Sequence, residues 1–178
     1  MNCARYGKCI IYSNNSHYLY WVKGVKMNDV RLIDITADNW EKICCLNPGK
    51  EGREFVASNA FSIAQSVFEN GWVIKGIQVE KSLIGFTMYG YSDELKAYEL
   101  CRFMIDEHYQ GKGYGKCALK IIIAEMFQRY QCDKIYLSTS PNNFKGKHIY
   151  EKAGFVPTGE TWGEGDDIED IFYLSHNR

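Results

Sequence analysis

The sequence predicts a mixed α/β (α+β) domain in which a central, mostly antiparallel twisted sheet is flanked by helices. Stretches of alternating apolar residues are separated by short polar turns, and helical periodicity recurs between them. Neither an internal repeat nor a low-complexity linker interrupts the 178 residues. We place this domain at residues 27–178 and treat residues 1–26 as an N-terminal extension of uncertain role, with an ordinary part of the fold as the alternative.

The order of the predicted elements is β-α-α-β-β-β-α-β-α-β-β. Asn47-Pro-Gly49 ends the first helix and Asn70-Gly71 the second. Short polar turns join the three strands before residue 105, which indicates an antiparallel meander. Upstream of the domain, residues 10–12 and 18–22 flank a polar turn and could form a hairpin. The predicted elements are a strand at 30–35, helices at 39–46 and 54–69, strands at 72–79, 83–91 and 95–105, a long helix after Gly115, a strand at 134–138, a helix at 143–153, and strands at 155–162 and 168–174.

The composition excludes several classes of function. The net charge is −1, whereas nucleic-acid binders usually carry a basic excess. No apolar run approaches the ~18–20 residues that cross a membrane. The seven cysteines form no CxxC pair and no cysteine–histidine cluster with zinc spacing. We therefore expect a reduced, cytoplasmic protein that binds neither nucleic acid, nor membrane, nor metal.

A glycine-rich turn, Gln110-Gly-Lys-Gly-Tyr-Gly115, joins the last strand of the meander to the long helix. At such a junction the free N–H groups and the helix dipole favour an anion, and glycine lets a phosphate approach the backbone closely. The spacing is neither that of a P-loop nor that of a dinucleotide-binding fingerprint. The turn alone therefore predicts a phosphate cradle, with a simple tight connection as the alternative.

A second motif lies one strand downstream, at Asn143-Phe-Lys-Gly-Lys-His-Ile-Tyr150-Glu-Lys-Ala-Gly154-Phe155. Together, the two motifs resemble the Gcn5-related N-acetyltransferase (GNAT) superfamily, with its Q/R-x-x-G-x-G/A loop and its N-x-x-[small]-x-x-x-Y-x-x-x-G-F segment. The order of elements over residues 27–178 is also similar to the GNAT-type acyl-CoA N-acyltransferase fold. The segments 83–90, 102–110 and 134–138 look like bacterial spermine/spermidine acetyltransferases, which often carry a carboxylate where this chain has Cys101.

The resemblance implies acetyl-CoA as co-substrate, a small-molecule amine as acceptor, no metal, and a homodimer as one oligomeric state. It implies that Tyr150 is the acid that protonates the leaving thiolate. Glu99 is the candidate base, because it should project from the same face as Cys101; an exposed strand carboxylate or an acceptor-binding residue are the alternatives. N-capping is the rival role for Asn143. The implied coenzyme contacts are Met104, Ile105, Gln110, Gly111, Lys112, Gly113, Tyr114, Gly115, Lys116, Asn143 and Lys147.

The predicted function is transfer of the acetyl group to a primary amine, with a polyamine as the first candidate. An amine with a pKa near 10 is free in only about one molecule in a thousand at neutral pH, so a base is useful. The alternatives are another amine (an aminoglycoside-like antibiotic, an amino acid or a protein N-terminus) or a non-catalytic acyl-CoA-binding module. Candidate residues for a polycation groove are the carboxylates Glu51, Glu54, Glu164, Asp166, Asp167 and Glu169 and the aromatic residues Trp162 and Tyr89.

Overall fold

The computed structural model describes residues 21–22, 25–26 and 29–176. Two-residue strands β1 and β2 pair with each other, and the remaining strands form one seven-stranded sheet in the order β3-β4-β5-β6-β7-β9-β8. The strands are β1 (Trp21–Val22), β2 (Val25–Lys26), β3 (Val30–Asp34), β4 (Trp72–Val79), β5 (Ser82–Ser92), β6 (Ala97–Ile105), β7 (Lys134–Thr139), β8 (Val156–Trp162) and β9 (Glu169–Ser175). The helices are α1 (Trp40–Cys45), α2 (Gly49–Gly52), α3 (Asn59–Phe68), α4 (Tyr114–Tyr130) and α5 (Phe144–Ala153).

The sheet confirms the predicted fold class. Every neighbouring pair in the seven-stranded sheet is antiparallel except β6 and β7. These two strands are parallel because the long helix α4 connects them as a crossover. As a result, the carboxyl ends of β6 and β7 lie at the same edge of the sheet, where α4 and α5 begin.

The parallel strands β6 and β7 are hydrogen-bonded as a ladder at one position only. Their single register pair is Glu99 opposite Tyr136, whereas β5 and β6 are paired along eight positions. Beyond Glu99 the two strands therefore diverge and leave a gap in the middle of the sheet. We call this opening the strand gap.

A β-bulge in β6 lies beside the strand gap. Met88 pairs with Arg102 and Tyr89 pairs with Leu100, so Cys101 is the extra residue of the bulge. Residues on either side of a bulge keep their alternation, but the two residues at the bulge share a face. The bulge thus places Cys101 and Arg102 on one side of the sheet.

Two cores cover the two faces of the sheet. On one face α4 packs against a cluster that includes Leu100, Ile105 and Phe172. On the other face, residues of α1 and α3 pack against Phe86, Met88 and Met104. By alternation along β6, Glu99 and Cys101 face the α1/α3 side, because Leu100 lies between them and faces α4.

Two details differ from the sequence prediction. The second helix begins at Asn59 rather than near residue 54, because the Ser58 side chain caps it by accepting from the Phe61 N–H. Helix α2 was not predicted, since its four residues include two glycines. Residues 10–12 and most of 18–22, where a hairpin was expected, lie outside the described residues. Within the described part of the chain, no helix is long and apolar enough to cross a membrane.

Candidate active site

The strand gap exposes backbone groups of β6. The Asp106 N–H donates to the Ile84 carbonyl oxygen of β5 at 2.8 Å. Because the groups of an antiparallel strand alternate in direction, Phe103 and Ile105 direct their N–H and C=O groups towards the gap, while those of Met104 face β5. The sequence had pointed to Met104 and Ile105, and it missed Phe103. The contact of Met104 with the coenzyme stays a prediction.

The glycine turn has the backbone that only glycine adopts easily. Gly111 and Gly113 have φ values of +74° and +93°. Gly113 is also the N-cap of α4, and no side chain caps this helix. The first intrahelical bond runs from the Cys117 N–H to the Gly113 oxygen, so the N–H groups of Tyr114, Gly115 and Lys116 are left for an outside acceptor.

Two of the predicted coenzyme ligands use their side chains elsewhere. The Gln110 amide nitrogen donates to the carbonyl oxygens of Ile105 and Pro48. The Lys112 ammonium donates to the His108 carbonyl oxygen at 2.8 Å and lies over the Tyr109 ring. The backbone N–H groups of the turn, rather than these side chains, are therefore the better candidates for binding a phosphate.

The start of α5 lies at the same edge of the sheet. The Asn143 carboxamide accepts from the Gly146 N–H at 2.9 Å and donates to Thr139 Oγ1 of β7 at 2.9 Å. The structure thus shows the capping role of Asn143. The Lys147 ammonium forms an ion pair with Asp170 of β9 and donates to the Pro141 carbonyl oxygen. Coenzyme contacts of Asn143 and Lys147 stay predictions.

Glu99 is a buried carboxyl group beside the strand gap. Only 8% of the residue is exposed. Burial raises its pKa above the ordinary value, although a hydrogen bond from Ser92 and the charge of Arg102 oppose the shift. A buried carboxylate with a raised pKa is suited to accept a proton near neutral pH.

Tyr150 approaches the gap from the other side. It lies on α5, packs against the core on the α4 face, and meets Phe155 edge to face at 6.2 Å between ring centroids. Burial, with a smaller contribution from the Glu169 carboxylate, raises the pKa of the Tyr150 phenol to about 12. The phenol therefore keeps its proton throughout the physiological pH range.

Glu169 lies within electrostatic range of both groups. Its charge raises the pKa of Glu99 as well as that of Tyr150. The Ser138 hydroxyl of β7 donates a hydrogen bond to its carboxylate, and Trp162 of β8 lies opposite it in the ladder. Of the candidate groove residues, Glu169 and Trp162 thus lie together, next to the predicted acid and base.

Other candidates fall in different places. The prediction that Tyr89 faces an acceptor is wrong: it is fully buried, and its hydroxyl donates to Glu125 of α4 on the opposite face. Glu51 is exposed and forms an ion pair with Lys145 of α5.

Sequence reasoning missed Arg102. Its guanidinium donates to Cys101 Sγ at 3.0 Å, and its charge opposes the rise in the pKa of Glu99. Arg102 lies on the α1/α3 side because of the bulge, and no pattern in the nearby sequence predicts a bulge there.

The described surface also has cavities away from the candidate site. Two surface cavities, of about 380 and 460 Å³, lie against α1. Neither is lined by Glu99, Tyr150 or a residue of the glycine turn. Glu99 borders the strand gap on β6, while the glycine turn follows β6 and α5, which carries Tyr150, follows β7.

Comparison with known sequences agrees with this geometry. Residues 34–155 match the model of the Acetyltransferase (GNAT) family. A spermine/spermidine N(1)-acetyltransferase of Bacillus subtilis (strain 168) is 33% identical over 140 residues, which cover 75% of this chain and 92% of the relative. A probable spermine N(1)-acetyltransferase of Bacillus subtilis subsp. natto (strain BEST195) matches with the same identity and coverage.

Solved structures share the fold. The spermidine N-acetyltransferase of Vibrio cholerae, in complex with CoA and spermine, superposes with a TM-score of 0.65 at 20% identity, over 83% of this chain and 96% of that chain. An aminoglycoside acetyltransferase in complex with coenzyme A gives a TM-score of 0.68 at 17% identity, over 82% and 94% of the two chains. With the matching family model and the 33% identical relatives, the chain belongs to the GNAT acetyltransferase family and is an acetyl-CoA-dependent N-acetyltransferase.

Proposed function

We propose that the enzyme acetylates a primary amine of a polyamine, and that the amine attacks acetyl-CoA directly in a ternary complex. The observation that carries this proposal is the pair of carboxylates, Glu99 and Glu169, beside the strand gap. A polyamine carries several positive charges on a flexible chain. One carboxylate can take the proton of the reacting amine while the other attracts the next ammonium group.

Acetyl-CoA would lie in the strand gap. Its pyrophosphate would accept from the N–H groups at the start of α4. Its pantetheine arm would pair with the gap-facing groups of Phe103 and with the N–H of Ile105, since the Ile105 carbonyl oxygen already accepts from Gln110. A backbone N–H at this strand end would polarise the thioester carbonyl and stabilise the oxyanion. The chemistry then needs only a free amine and a stabilised leaving group.

Glu99 and Tyr150 are suited to these two tasks. Glu99 accepts one proton from the ammonium, and the neutral amine nitrogen bonds to the thioester carbon. The tetrahedral intermediate then loses a second nitrogen proton to solvent, and the carbon–sulfur bond breaks as the intermediate collapses. Since Glu99 lies on the α1/α3 side and Tyr150 on the α4 side, base and acid flank the thioester from opposite faces of the sheet. The products are an acetamide and the CoA thiol.

The raised pKa of Tyr150 limits what it does. A thiol of the cysteine type has a pKa of about 8.5. Burial raises the pKa of the Tyr150 phenol to about 12, so the phenol is a weak acid and full proton transfer to the thiolate is unfavourable. We infer that Tyr150 stabilises the developing thiolate by a hydrogen bond, and that the thiol proton is supplied afterwards from protonated Glu99 or from solvent.

An amine panel tests the proposal. Purified protein is mixed with acetyl-CoA and with spermine, spermidine, an aminoglycoside, an amino acid or a peptide, and release of the CoA thiol is followed. A diamine and a monoamine of equal chain length form the matched pair. We expect turnover with spermine or spermidine and a lower KM for the diamine than for the monoamine. Turnover with the other amines only would refute the polyamine assignment, and CoA binding without turnover would favour a sensor.

A further inference from the structure

The side chain of Gln110 joins three segments of the active site. Its amide nitrogen donates to the carbonyl oxygen of Ile105 at 2.8 Å and to that of Pro48 at 3.0 Å. A carboxamide nitrogen has two hydrogens, so both donors are used. Ile105 ends β6, Pro48 lies between α1 and α2, and the backbone of Gln110 starts the glycine turn. One side chain thus connects the turn, the edge of the strand gap and a loop on the other side of the site.

That loop, residues 47–53, is also anchored to residues 106 and 107, which lie between β6 and the glycine turn. The Asn47 N–H donates to the Asp106 carboxylate at 2.9 Å, and the Glu107 N–H donates back to the Asn47 carbonyl oxygen at 2.8 Å. Asp106 is buried, with 7% of the residue exposed. Within the loop, Arg53 Nε donates to the Asn47 side-chain oxygen at 2.8 Å. We call residues 47–53 the acceptor-side loop, because the loop connects the helices that cover the face of Glu99.

The acceptor-side loop also reaches the far side of the strand gap. Glu51 of α2 forms its ion pair with Lys145 of α5, and both side chains are largely exposed. An exposed ion pair holds its partners weakly. The loop is therefore fixed firmly at its contacts with residues 106, 107 and 110 and loosely at the end near α5, so its position depends mainly on the segment from the end of β6 to Gln110.

We propose that Gln110 is a positioning residue through which acetyl-CoA binding at the turn orders the acceptor-side loop and tightens amine binding. Phosphate binding to the N–H groups of the turn fixes the backbone of Gln110. The carboxamide then holds Pro48, and with it the loop, in one position. Coupling between two binding sites is reciprocal, so a bound amine tightens acetyl-CoA binding by the same factor. The proposal depends on the placement of the donor at the glycine turn.

Hydrogen exchange of the wild-type enzyme tests the coupling without a mutation. We expect added CoA to slow exchange of the backbone amides of residues 111–115 and also of residues 47–53. Protection of the turn alone would overturn the coupling. Protection of neither segment would instead refute the placement of the donor at the turn, so the two failures are distinguishable.

The variant Gln110→Met tests the side chain, because methionine has a similar shape and no hydrogen-bond donor. We expect the KM for the amine to rise by about 5- to 150-fold, the usual range of coupling between sites, with little change in the Kd of acetyl-CoA measured without amine. Gln110→Arg, which restores N–H donors, should recover the protection of the loop. Gln131→Met is the matched control, because Gln131 also donates to a carbonyl oxygen, that of Gln128, but at the end of α4.

Two results would overturn the role of Gln110. An equal loss of acetyl-CoA affinity and amine affinity in Gln110→Met would make Gln110 a ligand of the donor. An unchanged KM for the amine, together with unchanged protection of residues 47–53, would leave the carboxamide without a role in acceptor binding.

Discussion

Replacing Tyr150 by phenylalanine removes one hydroxyl group and keeps the ring that packs against Phe155. The variant should fold, and it should bind acetyl-CoA with nearly the wild-type affinity, since the backbone of the glycine turn is untouched. Under the proposed mechanism, the variant loses the hydrogen bond to the developing thiolate. A hydrogen bond to a charged group contributes about 1.5–3 kcal/mol, which corresponds to a fall in kcat of about 10- to 150-fold.

This magnitude separates two roles for the phenol. A residue that transfers its proton fully as a general acid contributes a factor of about 10² to 10⁴. With a pKa of about 12, Tyr150 is a weak proton donor, so we expect the lower range. Release of the CoA thiol gives kcat, and calorimetry gives the Kd of acetyl-CoA. The matched control is Tyr130→Phe, because the buried Tyr130 hydroxyl has no hydrogen-bond partner among the described residues.

Three outcomes would refute this reasoning. A loss of acetyl-CoA affinity as large as the loss of kcat would assign Tyr150 to coenzyme binding. A fall in kcat well beyond about 10³-fold would indicate full proton donation. An unchanged kcat would mean that Tyr150 does not touch the leaving group.

Two further predictions concern the turn and the base. Gly113→Ala should destabilise the fold by about 1–2 kcal/mol and weaken acetyl-CoA binding, because φ at Gly113 is +93°. The control variant Gly115→Ala should be tolerated, because its Cβ would meet Ile105 at 3.6 Å, an ordinary contact. Denaturant unfolding and calorimetry compare the two variants, and equal losses would contradict the backbone argument. For Glu99, kcat/KM should fall as the pH falls through a pKa above 4.5, because the base must be ionised and burial raises its pKa. Glu99→Gln should abolish this acid limb, and an unchanged profile would show that another group titrates.

The elements of the fold are largely readable from local patterns. Strand β4 spans the predicted residues 72–79, and α5 begins directly after its cap, Asn143. The boundary of α3 was misplaced because apolar spacing continues upstream of Ser58, where only the cap defines the start. Short segments such as α2 are held by tertiary bonds rather than by their own propensity, and such bonds leave no periodic signal.

The candidate site was less predictable, because its geometry is non-local. The two motifs indicated the glycine turn and Tyr150, but no pattern within β6 or β7 shows that the strands part after Glu99. The Lys147–Asp170 pair joins residues that are 23 positions apart. A lysine near a phosphate-binding motif looks like a ligand in the sequence, and only the fold reveals the carboxylate that holds it.

The bulge in β6 has a consequence for how this active site can evolve. Because Cys101 is an extra residue, Glu99, Cys101 and Arg102 all face the α1/α3 side. A carboxylate at position 101 instead of position 99 would therefore still face the same side of the sheet, two residues further along the strand. The position of the proposed base can therefore differ between members of the family without a change in strand length. A deletion of Cys101, by contrast, would restore a regular ladder with β5: Glu99 would keep its face, and the second position for a carboxylate would be lost.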